Sequence, residues 1–195
     1  MSAAVEMDMI PVPSVSVRFP LAMPKPRGFK AADPQTWPSI PGLLEFVEGE
    51  LLYMPPCGEE QSAVAAFVTT ELTLWARKHP GFEVGSNEAG ILIDGDVRGA
   101  DAAIWKVSGK PRSKEFRRSA PLLAVEVQGK YETLESMREK ADWYLEHGTT
   151  TVWLVVPDSK LVLVITANGE KRAKERLPAP AGLSGLTPLV SDLLG

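Results

Sequence analysis

The 195-residue chain is 44% hydrophobic and 24% charged, with a formal net charge of −4. That supplies apolar material for one well-packed domain and little for a second core, and the negative balance argues against a protein held to nucleic acid by bulk positive charge. One cysteine, Cys57, excludes an intramolecular disulfide, and with only His79 and His147 beside it neither a zinc site nor a thiol or serine hydrolase triad has its residues. Glu6, Asp8, Pro11 and Pro13 occupy the place where a signal peptide needs a basic start and an apolar core. No uninterrupted apolar run reaches the about 18 residues of a bilayer span, and the lone cysteine fits a reducing compartment better than a secreted one, so the expected location is cytoplasmic.

Residues 1–41 carry eight prolines, which fix φ and remove backbone donors too often for regular helix. An extended arm over 1–41, followed by a single domain over 42–195, is the expected organisation. Leu44 to Met54 reads as two short strands about the Glu48-Gly49 turn, closed by Pro55-Pro56. From Glu59 to Lys78, Val64, Val68, Leu72 and Trp75 recur at helical spacing, and Pro80-Gly81 is the stop. Phe82–Val84, Ile91–Ile93 and Ala100–Trp105 read as short strands, with a turn at Asp94-Gly95. A loop from Lys106 to Ala120 carries Lys106, Lys110, Arg112, Lys114, Arg117 and Arg118, a basic stretch of the kind that is commonly just solvated. Leu122–Gln128 reads as a buried strand. A helix over 134–147 follows, with Leu134, Met137, Ala141, Tyr144 and Leu145 as its apolar stripe and Gly148 as its cap. Thr151–Val156 and Leu161–Ile165 flank a Pro157-Asp158-Ser159-Lys160 turn and should pair antiparallel. The strand-helix-strand order from Leu122 to Val156 implies a parallel crossover, and therefore a mixed sheet flanked by helices.

The chemistry-bearing residues lie on these strands. Side chains alternate along a strand, so Ala124, Glu126 and Gln128 share one face. A carboxylate in so apolar a run needs a partner, because burying it alone costs several kcal/mol, on the order of what a domain can spare. Asp101 begins a neighbouring strand. Two carboxylates on adjacent strands, with the Val127 carbonyl, can supply hard oxygen ligands to a Mg²⁺ that keeps several waters, and such an ion activates water against a phosphodiester. Lys140 lies three residues after Met137 and four before Tyr144, at the edge of the apolar stripe, where an ammonium could meet charge developing on phosphate oxygens. His147 is placed to bond the last carbonyls of its helix.

These residues resemble the Uma2-like group, formerly a domain of unknown function, in the PD-(D/E)xK nuclease superfamily. The likeness spans roughly residues 42–166. Leu44-Glu45-Phe-Val-Glu-Gly49-Glu-Leu with Met54-Pro55-Pro56 is similar to the family's opening hairpin, and Arg98-Gly-Ala-Asp101 to its Arg-x-Pro-Asp. Pro121-Leu-Leu-Ala-Val-Glu126-Val is similar to the second acidic strand. Lys140 with Tyr144, then Gly148 and Trp153-Leu-Val-Val-Pro157, resemble its Lys-x-x-x-Tyr helix, glycine and Tyr-Trp-Leu-Val strand. The resemblance implies a restriction-endonuclease-like α/β (α+β) core with an N-terminal β-hairpin extension. It also implies a divalent metal, Mg²⁺ or Mn²⁺, at Asp101 and Glu126, DNA cleavage, and a homodimer. Glu45 matches the hairpin acid. Gln61 stands where relatives often have histidine, Ala100 replaces the motif proline, and Gln128 occupies the usual lysine position. Either Gln128 or a migrated Lys140 then takes the lysine's role. A different class of reading is a catalytically silent nuclease-fold domain that binds or scaffolds a partner, which Gln128 and the acidic net charge favour.

Overall fold

The structure is a computed structural model that describes residues 18–107, 109 and 114–195. Residues 1–17 of the expected arm, with Pro11 and Pro13, and Lys110 and Arg112 of the basic loop lie outside the described residues.

Among the described residues nine strands form one mixed sheet: β1 (Leu21–Met23), β2 (Leu43–Val47), β3 (Glu50–Met54), β4 (Phe82–Ile93), β5 (Asp96–Lys106), β6 (Leu123–Val127), β7 (Thr151–Val156), β8 (Leu161–Thr166) and β9 (Gly169–Arg172). Their order is β1-β3-β2-β5-β6-β7-β8-β9, with β4 also paired to β5. The helices are α1 (Glu59–Arg77), α2 (Leu134–Glu146) and α3 (Val190–Leu194). Among the described strands only β6 and β7 run parallel, and α2 is their crossover, as a strand-helix-strand unit requires.

Alternation along β6 sorts its side chains between two cores. Leu123, Val125 and Val127 pack toward Val64, Val68, Leu72 and Trp75 of α1, whereas Ala124 packs toward Met137, Ala141 and Tyr144 of α2. Glu126, even-numbered like Ala124, therefore faces α2.

The topology forks at β5. Because β4 follows one edge of β5 from Phe82↔Lys106 to Ile93↔Asp96, β2 and β6 must share the other. β2 meets it at Phe46↔Val97, and β6 meets it from Ala102↔Val125 to Ile104↔Leu123. Asp101 lies in the interval between these pairings. Opposite it, the β4 ladder shifts register between Ser86 and Ala89, with Asn87 at φ 56°. A bulge of this kind locally twists the strand and re-aims the residues facing it.

Most expected elements are present within a residue or two, but β5 begins four residues before the expected Ala100, so Asp101 lies in mid-strand and not at its start. Phe82–Val84 and Ile91–Ile93 are the ends of a single strand, because the bulge carries the ladder across the polar middle that reads as a break in the sequence. β1, β9 and α3 have no counterpart in the sequence reading. β9, Gly-Glu-Lys-Arg, is exposed throughout and has no apolar alternation, and its ladder with β8 alone makes it a strand. In the described part of the proline-rich segment, β1 adds to the edge of β3, Phe29 packs between Trp37 and Phe46, and Trp37 packs on Phe116. Residues 18–41 thus lie on the hairpin of their own chain. The hairpin's base closes at Gly42, whose φ of +111° and contact with the Met54 carbonyl leave no room for a Cβ. Among the described residues, no helix is long and apolar enough to cross a membrane.

Candidate active site at the fork of the sheet

Where β5 passes from β2 to β6, the backbone loses its regular partner and side chains replace it. Asp101 spans the interval: its Oδ2 accepts the Val127 N–H at 2.7 Å. From the hairpin, Glu45 enters the same region, 8% exposed, with Oε1 accepting the Gly99 N–H at 2.9 Å and Oε2 paired to Arg98 Nη1 at 3.0 Å.

Helix α2 approaches from the face that carries Glu126. A capping box at Thr133 and Ser136 fixes its start. Lys140 and Tyr144, one turn apart, point to the same place. Lys140 Nζ lies 2.9 Å from Glu126 Oε2 and 3.1 Å from Glu45 Oε1, and the Tyr144 hydroxyl donates to Glu126 Oε1 at 2.7 Å. One ammonium thus bridges two buried carboxylates from different elements.

Electrostatics separate those carboxylates. Burial, reinforced by the negative charges of Asp101 and Glu45, pushes Glu126 up to about 8 against the pull of Lys140. Burial also opposes ionisation of Glu45, but Lys140, Arg98 and the Gly99 N–H outweigh it and hold Glu45 below its ordinary value. Lys140 resists the desolvation that would discharge it because Glu126 and Glu45 face it, and its pKa lies well above the usual amine value. Tyr144 is raised by burial and by Glu126, so it remains a donor.

Gln61, in the first turn of α1, donates from Nε2 to the Val127 carbonyl at 3.1 Å. Its Oε1 lies so close to Gly129 that a Cβ there would be 2.5 Å away. Gln128 is directed elsewhere: its amide donates to the Glu132 carbonyl at 3.1 Å, while Glu132 Oε2 accepts the Gly129 N–H at 2.8 Å. Strand β6 ends at Val127, so the alternation that would keep Gln128 beside Glu126 stops one residue short. Of the two residues proposed for the lysine's place, Lys140 stands among the carboxylates.

Asp101, Glu126, Lys140 and Gln61 line a cavity of about 370 Å³ whose rim includes Leu43, Met54–Cys57, Lys130 and Tyr131. Glu45 lies behind Lys140 as its second anchor. Among the described residues no three His, Cys, Asp or Glu side chains converge into a metal cage. His79 and His147 lie apart from the cavity, each donating from Nδ1 to a carbonyl of the helix it follows, Trp75 and Trp143 respectively, at 2.7 Å. Lys106 and Arg117, described residues of the basic stretch, do not line the cavity. Lys106 is five residues along β5 from Asp101, roughly 17 Å at strand rise, and Arg117 is paired to Glu83 at 2.8 Å and lies over the Trp105 ring.

Tyr144 is the contact that periodicity conceals, since it reads as one more apolar-stripe residue. Its i, i+4 relation to Lys140 is the available signal, because two polar tips on that stripe must share a target.

This arrangement, a mixed sheet between α1 and α2 with acidic residues at the sheet fork and a lysine on the crossover helix, defines a nuclease-like α/β domain of restriction-endonuclease-like type. The profile of the Uma2 family, described as "Putative restriction endonuclease", matches residues 37–192, and the chain belongs to that family. No curated protein matches it. A solved protein from Anabaena variabilis ATCC 29413, described as "a putative nuclease belonging to DUF820", shares the fold with a TM-score of 0.70 at 19% identity, over 80% of this chain and 93% of that one.

Proposed function

We propose that this chain is a divalent-metal-dependent endonuclease that hydrolyses DNA phosphodiester bonds. The observation that carries the reading is that Asp101, Glu126 and Lys140, from β5, β6 and α2, line one cavity. Asp101, Glu126 and the Val127 carbonyl would hold the metal. Two hard carboxylates and a carbonyl suit Mg²⁺, with Mn²⁺ as substitute, because Mg²⁺ retains several waters and needs no complete protein cage. The Val127 carbonyl keeps a second lone pair beside the one given to Gln61. When bound, the ion supplies Lewis acidity toward a phosphoryl oxygen and makes water acidic enough to act as a nucleophile near neutral pH.

The remaining work falls to the chain's own groups. Tyr144 fixes the orientation of Glu126. Lys140, kept cationic by Glu45 and Glu126, opposes the charge that accumulates on phosphate oxygens in the transition state. Gln61 holds the Val127 peptide in place and Gln128 shapes the following turn, so Gln128 acts through the backbone. A homodimer belongs to the same proposal, since a two-fold pair would present one site to each strand of a duplex.

One observation favours a silent domain: both Glu126 oxygens already have partners in the chain, Oε1 in the Tyr144 hydroxyl and Oε2 in the Lys140 ammonium. Calorimetry with Mg²⁺ or Mn²⁺ on wild type and Asp101→Ala separates the two readings. A binding isotherm lost in Asp101→Ala supports the metal site, and its absence in wild type favours the silent domain. A plasmid-nicking assay on Glu126→Ala and Lys140→Ala, both expected inactive, then tests the chemistry.

A further inference from the structure

Two basic-aromatic dipeptides, far apart in sequence, meet at the mouth of the cavity. Tyr131 follows Lys130 in the turn after β6, and both line the cavity; Tyr131 is 45% exposed, unusual for so large a side chain. Phe19 follows Arg18 just before β1, and its ring lies 4.9 Å from Tyr131, tilted by 51°. On its other side Phe19 meets Tyr53 of β3 edge-on, at 6.2 Å. The ammonium of Lys130 sits 5.3 Å from the centre of the Tyr131 ring, and Arg18 is exposed. Phe19 thereby joins the two walls of the opening, the hairpin and the turn after β6, in one aromatic row flanked by cations.

Resting on the nuclease reading above, we propose that this row binds an unpaired nucleotide strand, bases stacking on Tyr131 and Phe19 while Lys130 and Arg18 take phosphates, so that the preferred substrate is single-stranded or locally unpaired. Aromatic rings interleaved with cations are how strands are held without base readout, since every base has a face to stack and the phosphates supply the charge. Duplex binding depends instead on many simultaneous phosphate contacts. The net charge of −4 is poorly suited to that, and the described arginine of the basic loop that lies nearest β4 and β5, Arg117, is committed to Glu83 and Trp105. A base inside a duplex has its faces covered by its neighbours, so Tyr131 reaches one only where pairing is already lost.

Fluorescence anisotropy tests this on the full chain, with labelled oligo-dT, oligo-U and a hairpin duplex in Ca²⁺, for wild type, Tyr131→Ala, Tyr131→Leu and Tyr131→Trp. Expected is tighter binding of an unpaired strand than of duplex, with about a tenfold or greater loss in Tyr131→Ala and Tyr131→Leu, the worth of one stacked base, and recovery in Tyr131→Trp. Comparison of oligo-dT with oligo-U shows whether the strand is DNA or RNA, and either supports the proposal. Equal affinity for duplex, or unpaired-strand binding indifferent to Tyr131, overturns it, as does no binding at all. Nicking by wild type, lost in Glu126→Ala, would leave the nuclease reading standing after such a failure. Conversely, Tyr131-dependent strand binding without any cleavage would retain this surface and sink that reading.

Discussion

Replacing Lys140 by methionine keeps most of its stem volume and removes the charge that joins two carboxylates. Taking one partner from a buried pair usually costs about 3–5 kcal/mol, because the other is left charged and alone. Neither carboxylate is left so here. Glu45 retains Arg98 at 3.0 Å and the Gly99 N–H at 2.9 Å, and Glu126 retains the Tyr144 hydroxyl and holds its own proton up to about pH 8. The loss near pH 7 is then close to one charge-assisted hydrogen bond, about 2 kcal/mol. Glu45→Ala is the harsher change, since it leaves Arg98 without its carboxylate in a site where Arg98 Nε already lacks a hydrogen-bond partner. It should cost about 3–5 kcal/mol. Urea unfolding of both variants and of the double mutant measures the ranking and the coupling. If Lys140→Met proves as destabilising as Glu45→Ala at pH 7, or the double mutant is simply additive, the picture of a shared cation with a proton in reserve is wrong.

The pH dependence carries a definite sign. Glu126 keeps its proton to about 8 in the native chain against 4.5 ordinarily, so the native state binds more protons across that window and metal-free stability falls as pH rises through it, by at most about 1.4 kcal/mol per unit. Glu126→Gln should flatten this limb of a melting-temperature profile, and a limb that persists refutes the assignment. Glu45 acts at the acid end: its lowered value stabilises above about 4.5 and is lost as pH falls through the folded value, so Glu45→Gln should blunt acid unfolding followed by circular dichroism. Gly129→Ala should fold, because the obstructing Gln61 amide can rotate away, but at a cost of about 1 kcal/mol for the bond to Val127, read as a lowered melting temperature; an unchanged one contradicts the contact. Cys57, exposed and lining the cavity, should react with a thiol reagent and be shielded by bound oligonucleotide.

Alternation in β6 was enough to turn Glu126 toward α2, and the stripe of α2 was enough to bring Lys140 to the sheet, since both follow from local periodicity. Gln128 shows where that logic ends. Strict alternation keeps it beside Glu126 only while the strand continues, and the Gly129 turn, tied down by Glu132, releases it after Val127. Lys140's second partner was not legible, because Glu45 reaches it only through a long-range meeting of hairpin and sheet. The same holds for β9, whose four exposed residues carry no pattern, and for Phe19 beside Tyr131, which depends on the arm's path across the hairpin.

The ladder between hairpin and β5 registers a single residue pair, Phe46↔Val97. Beside it the hairpin is fastened by the Glu48 N–H on Asp96 Oδ1 at its turn and by Glu45, clasped by Arg98, Gly99 and Lys140. The same carboxylate therefore serves as a rivet for the architecture and as the keeper of the ammonium. Loosening it would let β2 and β3 swing as a flap, widening the entrance that Leu43 and Met54–Cys57 border. Faster amide exchange along both strands in Glu45→Ala would be its signature.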